Sequence, residues 1–284
     1  TERTPMVEWI ARHCAGALTH ARHYADRIEA VCPGPVATAP LPWPPRKVSP
    51  LRPRARAQQI ALTVGVMNRN KCAEEAIRAI AGSEALKASL RYHLVGRIHD
   101  EERDRLTALA ADLGYEGLTI FGDVDAESLE ARLREADMIC CLRRPVLEGA
   151  SGSLIEALQS GRPTIVADAG SYAEVPDGMA VKVPAEVPVE ALRRAFEQLA
   201  ADEPLRRDMG ARAAAWAKAR YTAENYAAAL EPLIEATIEA QPMLHLARHL
   251  GSELASLGLG RDDPAVRHLA AKLESVLEAP PRPS

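Results

Sequence analysis

From residue 60 onward, short unbroken apolar runs alternate with longer amphipathic segments, and this rhythm confines the chain to one fold class. "IALTVGV", "RYHLVG", "LTIFG", "DMICCL" and "RPTIVAD" are each too short for a buried helix and rich in β-branched or aromatic residues. Between them lie "CAEEAIRAIAG", "DEERDRLTALAADLG", "AESLEARLREA" and "SLIEALQSG", helical patterns of which three stop at glycine. Continuously apolar strands separated by helices predict parallel strands joined by right-handed crossovers, with helices covering both faces. The expectation is therefore α/β: a doubly wound, Rossmann-like parallel sheet over roughly residues 60–185. Flanking helices follow from "VEALRRAF" to "IEATIEA", so the domain extends over 60–240.

The remaining segments are less regular. Residues 1–39 mix two helical patterns with short extended stretches near 16–20 and 35–39. Residues 40–59, "PLPWPPRKVSPLRPRARAQQ", are dense in proline, which fixes φ and removes donors, so this stretch reads as a linker. Its cations (Arg46, Lys47, Arg52, Arg54, Arg56) are chemically able to meet phosphate, but a solvated linker is the simpler expectation. Residues 241–279 predict a helical hairpin, its second helix capped by Asp262 or Asp263 with Pro264 in the first turn, and 280–284 a disordered tail.

Composition removes several classes of function. A net charge of −4 over 284 residues gives no reason to expect nucleic acid as a partner. No apolar run approaches the length of a membrane span. No signal peptide is visible, although the chain opens at Thr1 without a methionine. Five cysteines without a C-x-x-C pair fit free thiols in the cytoplasm, with peripheral attachment to a membrane left open. His245 and His249 stand four apart, a metal-compatible spacing, but no third ligand accompanies them, so no metal is expected.

Ligands of open α/β sheets bind beyond the carboxyl ends of the strands. Three loops leave such ends: "GVMNRNK" (65–71), "FGDVD" (121–125) and "LRRPVLEGASGSL" (142–154). In the third, Gly149, Ser151, Gly152 and Ser153 lead into a helix whose first N–H groups and macrodipole attract an anion. A diphosphate suits that site, with Lys71 and Arg143 as sources of full charge. Glu156, one turn inside the helix, would repel phosphate but accept hydrogen bonds from vicinal sugar hydroxyls. Together these features suit a nucleotide.

In "EGASGSLIEALQSGRPTIV" the pair Glu148-x7-Glu156 resembles the E-x7-E element of family-four retaining glycosyltransferases of the GT-B fold. "GVMNRNK" is similar to that family's phosphate loop, "DAGSYAEVPDG" to its glycine-rich turn, and "THARHYADRI" to the last strand and helix of its N-terminal domain. The resemblance covers about residues 15–240. It implies that residues 60–240 are the C-terminal, nucleotide-sugar-binding domain and residues 1–39 the end of an N-terminal acceptor domain. Lys71 would contact the donor diphosphate, and the N–H groups of Gly152 and Ser153 its terminal phosphate. Glu156 would hold the ribose, Glu148 the transferred sugar or reacting centre, and Gly122 would lie near the base. Gly65, Asn68, Arg69, Arg143, Ser151 and Leu154 complete the donor-binding positions, with Glu148 and Lys71 as the catalytic pair. The implied substrates are a nucleoside-diphosphate sugar and a hydroxyl acceptor (glycan, lipid or protein), with no metal or other cofactor.

The chain departs from the family in two respects. Val66 stands where many relatives carry arginine; Arg69 is either its replacement or an arginine facing solvent. Most of the N-terminal domain, which usually brings a histidine to the reacting sugar, has no counterpart here, so a partner domain or homo-oligomer could cover residues 1–39. The alternatives are a non-catalytic nucleotide-sugar-sensing or assembly module, or, more remotely, a sugar-nucleotide epimerase of the same architecture. For single residues the plainer alternatives are a surface lysine at 71, a solvated loop carboxylate at 148, an exposed helix position at 156, and Glu174 as part of a simple turn.

Overall fold

The computed structural model describes residues 5–46, 58–260 and 262–277. The chain begins with α1 (Pro5–His13), β1 (Ala17–Thr19), α2 (Arg22–Glu29) and β2 (Val36–Thr38), and the two strands form a sheet of their own. The strands near 16–20 and 35–39 are thus present, each three residues long. Residues 47–57 of the linker and the 280–284 tail lie outside the described residues.

The regular alternation follows as β3 (Gln59–Val64), α3 (Ala73–Ala81), α4 (Glu84–Ser89), β4 (Leu90–Val95), α5 (Asp100–Asp112), β5 (Leu118–Gly122) and α6 (Ala126–Glu135). It continues with β6 (Met138–Cys141), α7 (Gly152–Gln159), β7 (Thr164–Ala167), α8 (Gly170–Ala173) and β8 (Val181–Val183). These six strands make one parallel sheet in the order β5-β4-β3-β6-β7-β8. The sheet is doubly wound and Rossmann-like, as the sequence predicts. α4, α8 and β8 are short elements that the apolar rhythm does not reveal.

Neighbouring strand residues serve opposite faces, as a pleated strand requires. Ala61, Met138, Cys140, Ile165 and Ala167 join one core with Ile77 and Ile80 of α3 and Leu106 of α5. Leu62, Ile139, Cys141 and Val166 join the other with Leu133 of α6 and Leu154 and Leu158 of α7. The first core is closed by Phe196 and Leu199 of α9 (Val189–Ala201), the second by Ala213 and Ala217 of α10 (Glu203–Arg220). β6 and β7 are buried throughout, which is why they read as unbroken apolar runs.

The expected break at 240/241 is absent. α11 runs unbroken from Ala223 to Ser256 through Pro232 and Pro242, before α12 (Pro264–Leu277). A proline inside a helix removes one backbone bond; here the good helix formers around each proline (Ala, Leu, Glu, Gln) carry the helix past it.

Two compact units result: the described residues within 1–17, 28–36 and 232–284 form one, those within 18–27 and 37–231 the other. In the smaller, Ala11, Ile28 and Cys32 form a core with Cys14, Ala17, Val31 and Val36. The larger contains the whole six-stranded sheet.

Candidate functional site

Strand order reverses between β3 and β6, which are paired with Ala61 opposite Met138 and Leu62 opposite Ile139. Connections leaving these two strands diverge to opposite faces and open a crevice at their carboxyl ends. The loop after β3 carries Lys71, and the loop after β6 carries Arg143 through Ser153. Two of the three ligand loops read from the sequence therefore meet at the switch point, while the third, 121–125, follows β5 at the sheet edge.

The first loop is shaped by close backbone contact. Gly65 has φ +111°, its N–H donates to Val95 O at 2.9 Å, and a Cβ there would lie 2.9 Å from Lys71 Nζ. Gly96, at φ +133°, faces it so closely that a Cβ would meet Gly65 O at 2.1 Å. Only glycine lets the ends of β3 and β4 touch in this way. Asn68 leads into a single 3₁₀ turn, Arg69–Lys71, and Cys72 in the left-handed region (φ +54°) separates it from α3. Lys71 thus precedes the helix.

Lys71 is not a surface lysine. It is 4 % exposed, and Nζ donates to Val64 O at 2.5 Å. Burial first, then the nearby Arg143, pulls its pKa down to about 8, against the opposing pull of Cys141 and Glu148. A cation held in so dry a place, with no ion pair among the described residues, is poised to gain from an incoming anion.

Arg143 Nε donates to Glu148 Oε1 at 2.8 Å, and the same oxygen accepts the Tyr172 hydroxyl at 2.8 Å. Glu148 is therefore held from two sides and is no solvated loop carboxylate. Ser171 Oγ donates to its backbone carbonyl at 3.3 Å. Lys71, Arg143, Glu148 and Glu156 all act electrostatically on Cys141, whose thiol burial pushes up to about 11. The four charges therefore surround the end of β6.

Ser151 caps α7: its Oγ accepts from Leu154 N at 3.4 Å and lies 3.1 Å from Ser153 Oγ. Glu156 is neither in bulk water nor unpartnered. Its side chain is 18 % exposed, and Oε1 accepts from Arg46 Nη2 at 2.7 Å. Arg46, assigned to a solvated linker from the sequence, is instead a half-buried bridge that also donates through Nη1 to Glu130 Oε2 at 2.5 Å. Proline content marks residues 40–46 as irregular but says nothing about what they pack against.

Asn68 and Arg69 stand exposed at the rim, and Arg69 makes no ion pair among the described residues. Gly122, at φ +70°, ends β5, and its carbonyl accepts Gly96 N–H at 2.7 Å, which lines up the ends of β3, β4 and β5. Asp125, just beyond, caps α6 by accepting Ser128 N–H at 2.8 Å. Glu174 belongs to the packing of α2: Oε1 accepts His23 N–H at 3.0 Å. Next to it, a crevice bounded by His20, Ser151, Ser171, Arg220 and Tyr221 has room for about one water molecule. Sequence reasoning did not find Tyr172 or the packing of Arg46, whose roles depend on distant partners. No metal-ligating cluster is found among the described residues.

A doubly wound parallel sheet with cationic and carboxylate groups at its switch point defines a Rossmann-like α/β domain. The chain belongs to the family Glycosyl transferases group 1, whose model matches residues 52–216, more than half of the sequence. No curated protein sequence matches it. Among solved structures it is similar to sucrose-phosphate synthase from Thermosynechococcus elongatus (TM-score 0.68, 21 % identity, 82 % of this chain and 61 % of that one). It is also similar to S. aureus TarM in complex with fondaparinux, α-GlcNAc-glycerol and UDP (0.64, 16 %, 81 % and 45 %). A third is Anabaena HepE in complex with UDP and glucose (0.64, 16 %, 84 % and 65 %). At these identities the likeness establishes the fold, that of GT-B glycosyltransferases. The chain spans less than two thirds of the length of each.

Proposed function

We propose that this chain is the donor-binding half of a retaining glycosyltransferase that takes a nucleoside-diphosphate sugar and a hydroxyl acceptor. One observation carries the proposal: Lys71 and the 143–156 segment converge at the switch point of a sheet in a chain of this family. Lys71, Arg143 and the N–H groups opening α7 would receive the diphosphate. As the glycosyl C–O bond to phosphate breaks, negative charge grows on the leaving oxygens, and cations fixed in a dry site stabilise it best. With that set in place the departing diphosphate would need no metal. Glu148, pinned by Arg143 and Tyr172, would orient the transferred sugar, and Glu156 would accept from the ribose hydroxyls through the oxygen that Arg46 leaves open. Gly122 would border the base.

The protein would work in the cytoplasm, where its five free thiols stay reduced. No helix among the described residues is long and apolar enough to cross a membrane. Residues 1–39 would end an acceptor domain.

Calorimetric titration with UDP, GDP and ADP tests the reading. At least one should bind, and Glu156→Ala should weaken it by about tenfold, the worth of a charged hydrogen bond. Failure of all three to bind removes the donor site. Binding without release of sugar from any donor, in the presence of acceptors, would leave a nucleotide-binding module in place of an enzyme.

A further inference from the structure

The segment running into the linker lies along one stripe of α7. A Cβ added at Gly152 would come within 2.4 Å of Trp43 Cη2, so the indole sits directly on the first turn. Arg46 N–H donates to Gln159 Oε1 at 3.1 Å, and Arg46 Nη2 donates to Glu156 Oε1. Gly152, Glu156 and Gln159 are spaced four and three apart and share one face of the helix. Residues 43–46 therefore form a strap that touches this face in three places.

The strap grips Glu156 in a particular way. A guanidinium can hold a carboxylate with two parallel bonds. Arg46 does not: it gives one end to Glu156 Oε1 and the other to Glu130 Oε2. No hydrogen bond reaches Glu156 Oε2 among the described residues, and that atom is not among the buried polar atoms without a partner. One oxygen is fixed, and the other has no hydrogen-bond partner among the described residues in a side chain that is 18 % exposed. A glutamate left alone would lose rotamer freedom on binding a ligand, whereas this one is already ordered.

We propose that Arg46 is a positioning residue for diol recognition. It fixes the Glu156 carboxylate through Oε1, so that Oε2 meets the two ribose hydroxyls of the nucleotide without a further ordering cost. This rests on Glu156 being the ribose acceptor. Arg46 need not touch the ligand, and its effect passes through Glu156 alone. Glu130 sets the angle of the guanidinium from the far side, and it is the more exposed carboxylate of the two.

The test is calorimetry with whichever of UDP, GDP and ADP binds best, and with its 2′,3′-dideoxy counterpart. The unmodified chain should prefer the ribonucleotide by about tenfold or more. Arg46→Ala should bind the ribonucleotide about tenfold more weakly and the dideoxy nucleotide unchanged, so that the preference disappears. Arg46→Lys keeps a charge but cannot span both carboxylates, and it should lose most of the preference while folding normally. Equal weakening of both nucleotides would mean that the strap only supports the fold, and this would overturn the proposal. Tighter ribonucleotide binding by either variant would overturn it too, because Arg46 would then be competing with the ribose. If the unmodified chain binds none of the three diphosphates, the proposed function fails and takes this inference with it. If it binds and the preference survives in both variants, only the inference fails.

Discussion

The sharpest consequence of the geometry concerns protons. Lys71 is buried and its pKa lies near 8, down from 10.5, chiefly because charge is costly where it sits. A diphosphate arriving beside it favours the ammonium form and raises that pKa again. Binding must then take up a proton whenever the free protein holds Lys71 partly neutral. The affinity follows the protonated fraction of the free lysine. That fraction is about nine tenths one pH unit below the pKa and about one tenth one unit above it, so affinity should fall about tenfold from pH 7 to pH 9. The nucleotide's terminal phosphate is largely ionised across this window and cannot produce a fall of that sign. Titrations at pH 8 in buffers of different ionisation enthalpy should show uptake of about half a proton per nucleotide. Lys71→Ala should bind weakly, with no pH dependence. An affinity that stays flat between pH 7 and pH 9, or that rises, would show that Lys71 does not face the ligand.

Three further outcomes follow from the same structure. The folded pKa of Lys71 lies below its unfolded value, so the charged form costs stability below about pH 8 and the cost fades as pH rises toward 10.5. Lys71→Met should therefore raise the stability of the fold by roughly 2 kcal/mol at pH 7 in chemical denaturation, while nucleotide binding weakens as in Lys71→Ala. Gly96→Ala would drive a Cβ to 2.1 Å from Gly65 O at a φ of +133°, and should cost about 3 kcal/mol or more by the same measurement. Tyr172→Phe removes one of the two donors to Glu148 Oε1 and should cost about 1 kcal/mol of stability. Nucleoside-diphosphate affinity should stay close to that of the unmodified chain, since the reading places Glu148 at the sugar and not at the phosphates.

Local pattern settled the frame of this protein. Runs such as "DMICCL" and "RPTIVAD" are apolar at every position because β6 and β7 are covered on both faces, and that requirement is written residue by residue. The loops that meet at the switch point were equally legible, since each directly follows a strand and glycine or serine marks where the backbone must turn or donate. What the sequence could not show were partners far apart in the chain. Arg46 meets Glu156 and Glu130 across 110 and 84 residues, and Tyr172 meets Glu148 across 24. Nothing in the proline-rich stretch signals that its arginine will be held on α7 instead of in water. The burial of Lys71 likewise arises only once β3 and β6 pair and bring Arg143 beside it. α11 departs from the expected break for a related reason: proline's cost is local, but whether a helix survives it depends on the bonds made by the turns on either side. Periodicity and turn chemistry decide which elements exist, because they act within a few residues. Which charges become neighbours, and how dry they are, is decided only when the sheet closes around them.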